Sequence, residues 1–156
     1  MNTSYSFDRA ADFYDATRAY PPRVADRITR SILDLTGATP STRILEVGIG
    51  TGRISAPLIA RGLNVMGLDL AREMMDRLRV KLAPGSLFRL VQGDASKLPF
   101  PAATFDVELA VHVFHLIAPW RQAIGELVRV LQPGGLVLHS SHIRDPRSAN
   151  VLLRDK

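Results

Sequence analysis

The 156-residue chain contains no cysteine. That absence excludes disulfides, thiolate nucleophiles and cysteine-ligated metal, and it leaves the redox compartment open. No apolar run approaches the roughly 20 residues that a membrane-spanning helix needs. The start, Met1-Asn2-Thr3-Ser4-Tyr5-Ser6-Phe7-Asp8, lacks the basic residues and apolar stretch of a secretory signal. A cytoplasmic protein with no membrane partner is the expectation. Internal repeats and low-complexity tracts are also missing. Acidic residues are outnumbered, giving a net charge of +5, which raises the question of an anionic partner. The basic residues are scattered, however. Arg72, Arg77, Arg79 and Lys81 share one predicted helix with Glu73 and Asp76. No basic cluster is interleaved with aromatics, so a solvated helix face is expected rather than a nucleic-acid surface.

What is present is ordinary globular composition, 46% hydrophobic and 22% charged, in a length that suits one domain. Residues 8–18 read as a helix, ended by Pro21-Pro22. Val24, Ile28, Ile32 and Leu35 recur at helical spacing, with Pro22 in the first turn and Gly37 at the end. From Arg43 onward, apolar runs alternate with helical patterns. Strands are expected at Arg43–Val47, Asn64–Asp69, Leu87–Gln92, Phe105–Val111 and Leu136–Ser140. Helices are expected at Arg53–Arg61, Ala71–Leu82 and Trp120–Leu131. Strands alternating with helices imply a parallel sheet with helices on both faces. Ligands of such sheets bind beyond the carboxyl ends of the strands.

The first strand runs into Glu46-Val47-Gly48-Ile49-Gly50-Thr51-Gly52-Arg53. A strand, a glycine loop and a helix together form a unit that binds nucleotide-like ligands, because glycine permits a sharp turn and close ligand approach. The dinucleotide fingerprint needs a glycine three places after Gly50. Arg53 stands there, which disfavours a nicotinamide-dependent oxidoreductase. Asp69 ends the second strand, where a carboxylate accepts from a ribose diol; the competing role is a helix N-cap. Gly93-Asp94-Ala95 ends the third strand, as a turn or as an adenine contact.

Glu46-x-Gly48-x-Gly50-x-Gly52, Asp69 and Gly93-Asp94-Ala95 together resemble the class I S-adenosylmethionine-dependent methyltransferases, in particular the small-molecule, type 11-like branch. Phe105-Asp106-Val107 with Ala110 to Leu116, and Leu131-Gln132-Pro133-Gly134-Gly135, are similar to that family's fourth strand and the turn before its fifth. The resemblance spans residues 7–142. It implies a Rossmann-like doubly wound sheet in the order 3-2-1-4-5, with a helical cap at 1–40, a core at 41–142 and a tail at 143–156. It implies S-adenosylmethionine as cofactor, with S-adenosylhomocysteine as product. The implied cofactor contacts are Glu46, Gly48, Gly50, Gly52, Asp69, Leu70, Met74, Asp94, Ala95, Ala110 and Val111.

Phe13-Tyr14-Asp15-Ala16-Thr17-Arg18 resembles a helix that closes over the cofactor, so Tyr14 would cover it and Arg18 would reach its carboxylate. Methyl transfer to a neutral oxygen or nitrogen needs a proton removed, and histidine is the usual base. His115 matches a position where the family often has histidine and ranks first, His112 second; His139 and His142 would line the acceptor side. The histidines have no clear carboxylate partner, so no metal is expected. The signature of base methylation is missing after the fourth strand, where Ala110-Val111-His112-Val113 stands, so nucleic acid is not the expected acceptor. A small molecule is, methylated on O, N or C.

The family's usual sheet has seven strands, and this chain stops shortly after the fifth. Three outcomes are expected from that: a truncated enzyme, a homodimer that covers the apolar edge Leu136-Val137-Leu138, or a cofactor-binding module without turnover.

Overall fold

The computed structural model describes residues 11–140. Its elements are α1 (Ala11–Arg18), α2 (Pro22–Thr36), β1 (Arg43–Val47), α3 (Ser55–Ile59), β2 (Asn64–Asp69), α4 (Arg72–Lys81), β3 (Phe88–Gln92), β4 (Phe105–Val111), α5 (Trp120–Val130) and β5 (Leu131–Ser140). A single 3₁₀ turn, Phe114–Leu116, separates β4 from α5. The five strands form one parallel sheet in the order β3-β2-β1-β4-β5. The expected order is the one observed.

Two apolar cores fill the two faces. On one, Ile32 of α2, Leu58 and Ile59 of α3, and Met75 and Leu78 of α4 pack on Ile44, Val65, Val107 and Leu109. On the other, Ala123, Leu127 and Val130 of α5 pack on Leu45, Val47 and Ala110, joined by Leu98 from the β3–β4 connection. Burial of each large aliphatic side chain contributes about 1.5–3 kcal/mol. Alternate positions on one strand feed opposite cores, as the pleat requires.

Helix boundaries follow local chemistry. Pro22 opens α2, and Gly37 closes it in the left-handed conformation (φ 60°), donating its N–H to the Leu33 carbonyl at 2.8 Å. The helix expected from Arg53 starts only at Ser55. Gly52 has φ +76°, which no helix can include, so residues 51–54 stay in a turn. The fifth strand starts earlier than expected. Leu131 pairs with Phe105, the chain loops out over Pro133-Gly134-Gly135, and pairing resumes at Leu136 opposite Val107. The expected turn is therefore a bulge within β5. Leu136 and Val137 on this edge strand are each 43% exposed.

No helix among the described residues is long and apolar enough to cross a membrane. No three His, Asp or Glu side chains among them stand close enough together to hold a metal ion.

Candidate cofactor-binding site

The carboxyl ends of β1, β2, β3 and β4 open into one cleft of about 220 Å³, roofed by α1. Gly48, Gly50 and Gly52 all have positive φ, so the loop after β1 takes a path that residues with a Cβ resist. At Gly48 a Cβ would stand 2.5 Å from Val113 Cγ2. Glycine there lets the ends of β1 and β4 approach while leaving the cleft floor open.

Asp69 braces this loop. Its Oδ2 accepts the Gly50 N–H at 2.7 Å and its Oδ1 accepts the Ala71 N–H at 2.9 Å. The second bond is a local turn two residues long; α4 is capped at Ala71 without a side-chain hydrogen bond, so Asp69 is not its N-cap. Asp94 Oδ1 accepts the Ser96 N–H at 2.8 Å, a local turn that fixes the carboxylate at the end of β3.

Most of the expected residues meet here. Tyr14, Arg18, Gly48, Gly50, Asp69, Leu70, Met74, Asp94, Ala95, Val111, His112 and His115 all line the cleft. Three expected contacts stand behind its wall. Ala110 has no exposed surface and sits in the α5-side core. Gly52 faces Leu78 of α4, whose Cδ1 would lie 2.3 Å from a Cβ. Glu46 is 3% exposed, turned toward α3, and its carboxylate accepts a hydrogen bond from the Ser55 hydroxyl. Burial pushes Glu46 up to about 8, opposed by Ser55 and reinforced by the charge of Asp69. It stands behind the loop, bonded to α3, and not in the cleft.

His112 has φ +52°, rare for a residue with a side chain. Its N–H donates to the Ser140 carbonyl at 2.8 Å, which ends the β4–β5 ladder. The backbone turn sends the chain into the 3₁₀ turn that carries His115. This geometry brings both histidines to the cleft. His139 does not join them. Its Nδ1 lies 2.8 Å from the Ala110 carbonyl oxygen and its ring lies 5.0 Å from that of Phe114, because its position on β5 is opposite Ala110. His142 lies outside the described residues.

Gly93, of the expected Gly93-Asp94-Ala95 motif, lines the cleft as well, and so do Arg53, Leu68, Val113, Leu116 and Ile117, which were not named as contacts. Arg53 reaches it through the cap: its Nη1 donates to the Arg18 carbonyl at 2.9 Å and its guanidinium lies 4.5 Å from the Tyr20 ring centre. Leu116 and Ile117 arrive on the turn after His112. The apolar run Ala110 to Leu116 was the available signal, but it did not reveal where the strand would turn.

A parallel 3-2-1-4-5 sheet with a glycine loop after β1 and acids after β2 and β3 defines a Rossmann-like methyltransferase fold. A methyltransferase-domain family profile matches residues 45–139, and the chain belongs to this methyltransferase family. An uncharacterized methyltransferase of Mycobacterium tuberculosis is 34% identical over 145 residues, covering 92% of this chain and 55% of that one. The malonyl-[acyl-carrier protein] O-methyltransferase of Serratia marcescens is 34% identical over 136 residues, covering 87% and 51%. The chain thus spans about half the length of these curated relatives. The crystal structure of a SAM-dependent methyltransferase from Thermotoga maritima superposes with a TM-score of 0.66 at 24% identity, covering 96% of this chain and 65% of that one; it shows the fold.

Proposed function

We propose that the cleft binds S-adenosylmethionine and that the protein methylates a small molecule on O, N or C. One observation carries the reading: a loop of positive-φ glycines faces two fixed carboxylates, Asp69 and Asp94, along one cleft wall. The residues fit this cofactor. Gly48 and Gly50 leave room for close backbone approach. Asp69 suits a ribose diol and Asp94 an exocyclic amine, while Arg18 offers a guanidinium for a carboxylate. Tyr14, packed on Ala71 and Met74, covers that side.

When bound, the sulfonium supplies an already activated methyl group. The protein's part is to align an acceptor with it and to exclude water. Val111, Val113, Leu116 and Ile117 give the cleft an apolar stretch near the histidines, suited to a partly apolar acceptor. His115 takes the acceptor's proton on a ring nitrogen, with His112 beside it. The exposed Leu136–Val137 edge of β5 is the surface on which we place a homodimer contact.

The test is a calorimetric titration of the purified chain with S-adenosylhomocysteine, with NADH as control. Micromolar binding of the first alone supports the reading. Binding of NADH alone, or of neither, overturns it.

A further inference from the structure

Helix α1 roofs the cleft, and among its described side chains little apolar burial holds it there. Its described residues, Ala11–Arg18, reach the cleft only through Tyr14 and Arg18. None of its described side chains belongs to either main core, and Phe13 is 56% exposed. Its apolar anchor is Tyr14, in a small cluster with Ala71 and Met74.

Polar contacts to the glycine loop do the rest. The hydroxyl of Thr51, a residue only 1% exposed, donates to Asp15 Oδ1 at 2.6 Å. Lys81, at the end of α4, pairs with Asp15 Oδ2 and also donates to the Thr51 carbonyl at 3.0 Å. One lysine thus ties the roof, the loop and α4 together. Burial alone would raise the Asp15 carboxyl, but hydrogen bonds from Lys81 and Thr51 and the charges of Lys81 and Arg77 hold it below its ordinary value. At the far end of α1, Arg53 grips the Arg18 carbonyl and the face of Tyr20. Asp15 lies between the cleft residues Tyr14 and Arg18 without lining the cleft itself.

We propose that Asp15, Thr51 and Lys81 form a latch, seconded by Arg53, that holds α1 shut over the cofactor cleft, and that its opening sets the rate at which the cofactor leaves. The three are positioning residues for Tyr14 and Arg18. This rests on the cleft being the S-adenosylmethionine site. Asp15 and Lys81 are each about 40% exposed as side chains, so salt screens the latch.

The experiment uses the whole chain and the variants Asp15→Asn, Lys81→Met, their combination, and Lys81→Arg. Hydrogen exchange of the 11–18 amides is measured without ligand, and S-adenosylhomocysteine dissociation by stopped flow at low and high salt. Each single variant is expected to speed α1 exchange and dissociation by about 5-fold, in line with a partly exposed, hydrogen-bonded ion pair. The combination should fall short of the product of the two single effects, because both remove the Asp15–Lys81 pair. Lys81→Arg should keep dissociation slow, and salt should speed dissociation only where the pair remains, in the unaltered protein and in Lys81→Arg. Unchanged exchange and dissociation in both singles, fully additive effects, or faster exchange spread equally through β1 and β4 would overturn the latch. If the unaltered protein binds no S-adenosylhomocysteine, the cofactor reading fails instead, and exchange of α1 alone decides the latch.

Discussion

The Asp69 carboxylate at the end of β2 holds the Gly50 N–H of the β1 loop at 2.7 Å. This cross-strand bond joins two parts of the cleft that a simple ribose-binding role would leave independent. Its other oxygen accepts the Ala71 N–H just before α4. Asp69 is therefore a brace before any ligand arrives.

Asp69→Ala should weaken S-adenosylhomocysteine binding by roughly 1–3 kcal/mol, the cost of unmade charged hydrogen bonds. It should also lower the melting temperature of the ligand-free protein, since two backbone donors lose their acceptor. Calorimetry and thermal melts separate the effects. Unchanged ligand-free stability would show that the loop keeps its shape without the brace, leaving ligand contact alone.

Gly48→Ala tests the loop from its own side. The new methyl meets both a φ of +70° and Val113 Cγ2 at 2.5 Å. A cost of about 1–3 kcal/mol is expected, from overpacking and backbone strain together, with weaker cofactor binding as the β1 and β4 ends move apart. Gly37→Ala is the control for strain alone, because φ is +60° there and nothing lies within 4 Å of the added carbon. Equal losses in the two variants would remove the packing part of the argument.

The sheet and its order were legible because short apolar runs stand between glycine and proline punctuation, and because three strands end on recognisable residues. The register within a strand end was less legible. Val111 reaches the cleft while Ala110, one residue earlier, is fully buried. Sequence marks the strand end but not which face its last residues present. Glu46 was expected at the ligand, but it turns back to Ser55. The shift in β5 came from a bulge that reads, residue by residue, like a turn. Glu108 gave no signal because nothing local distinguishes a buried acid from a half-exposed one.

Glu108 is the basis of a pH prediction. It sits in mid-β4 between Leu45 and Val137, with no exposed surface and, among the described residues, no hydrogen-bond partner for either carboxylate oxygen. Burial pushes it from an ordinary value of 4.5 up to about 8. The unfolded chain releases this proton near pH 4.5 and the folded chain only near pH 8. Across that window the folded state binds more protons, so stability falls as pH rises. Glu46 shares the same direction. Glu108→Leu should raise stability by about 1–3 kcal/mol at pH 8, where an unpaired polar group is most costly. It should also flatten the decline of the melting temperature between pH 5 and 8, leaving the part due to Glu46. An unchanged pH slope would mean that Glu108 finds a partner in solution.

The two cleft histidines separate by the kind of loss each should show. His112 holds φ +52°, a conformation that costs roughly 1–2 kcal/mol for a residue with a Cβ. Glycine removes that strain and adds unfolded-state entropy. His112→Gly should therefore be as stable as the original or up to about 1 kcal/mol more stable, while turnover falls. That pattern marks strain kept for function. Clear destabilisation would show that the side chain mainly packs. His115 is exposed on an unstrained turn, and His115→Ala should leave stability and S-adenosylhomocysteine affinity unchanged. If His115 is the base, turnover should fall by about 10²–10⁴-fold, and more steeply for a hydroxyl acceptor than for one already deprotonated. Equal turnover in the variant would return the proton to solvent, leaving alignment as the protein's whole contribution.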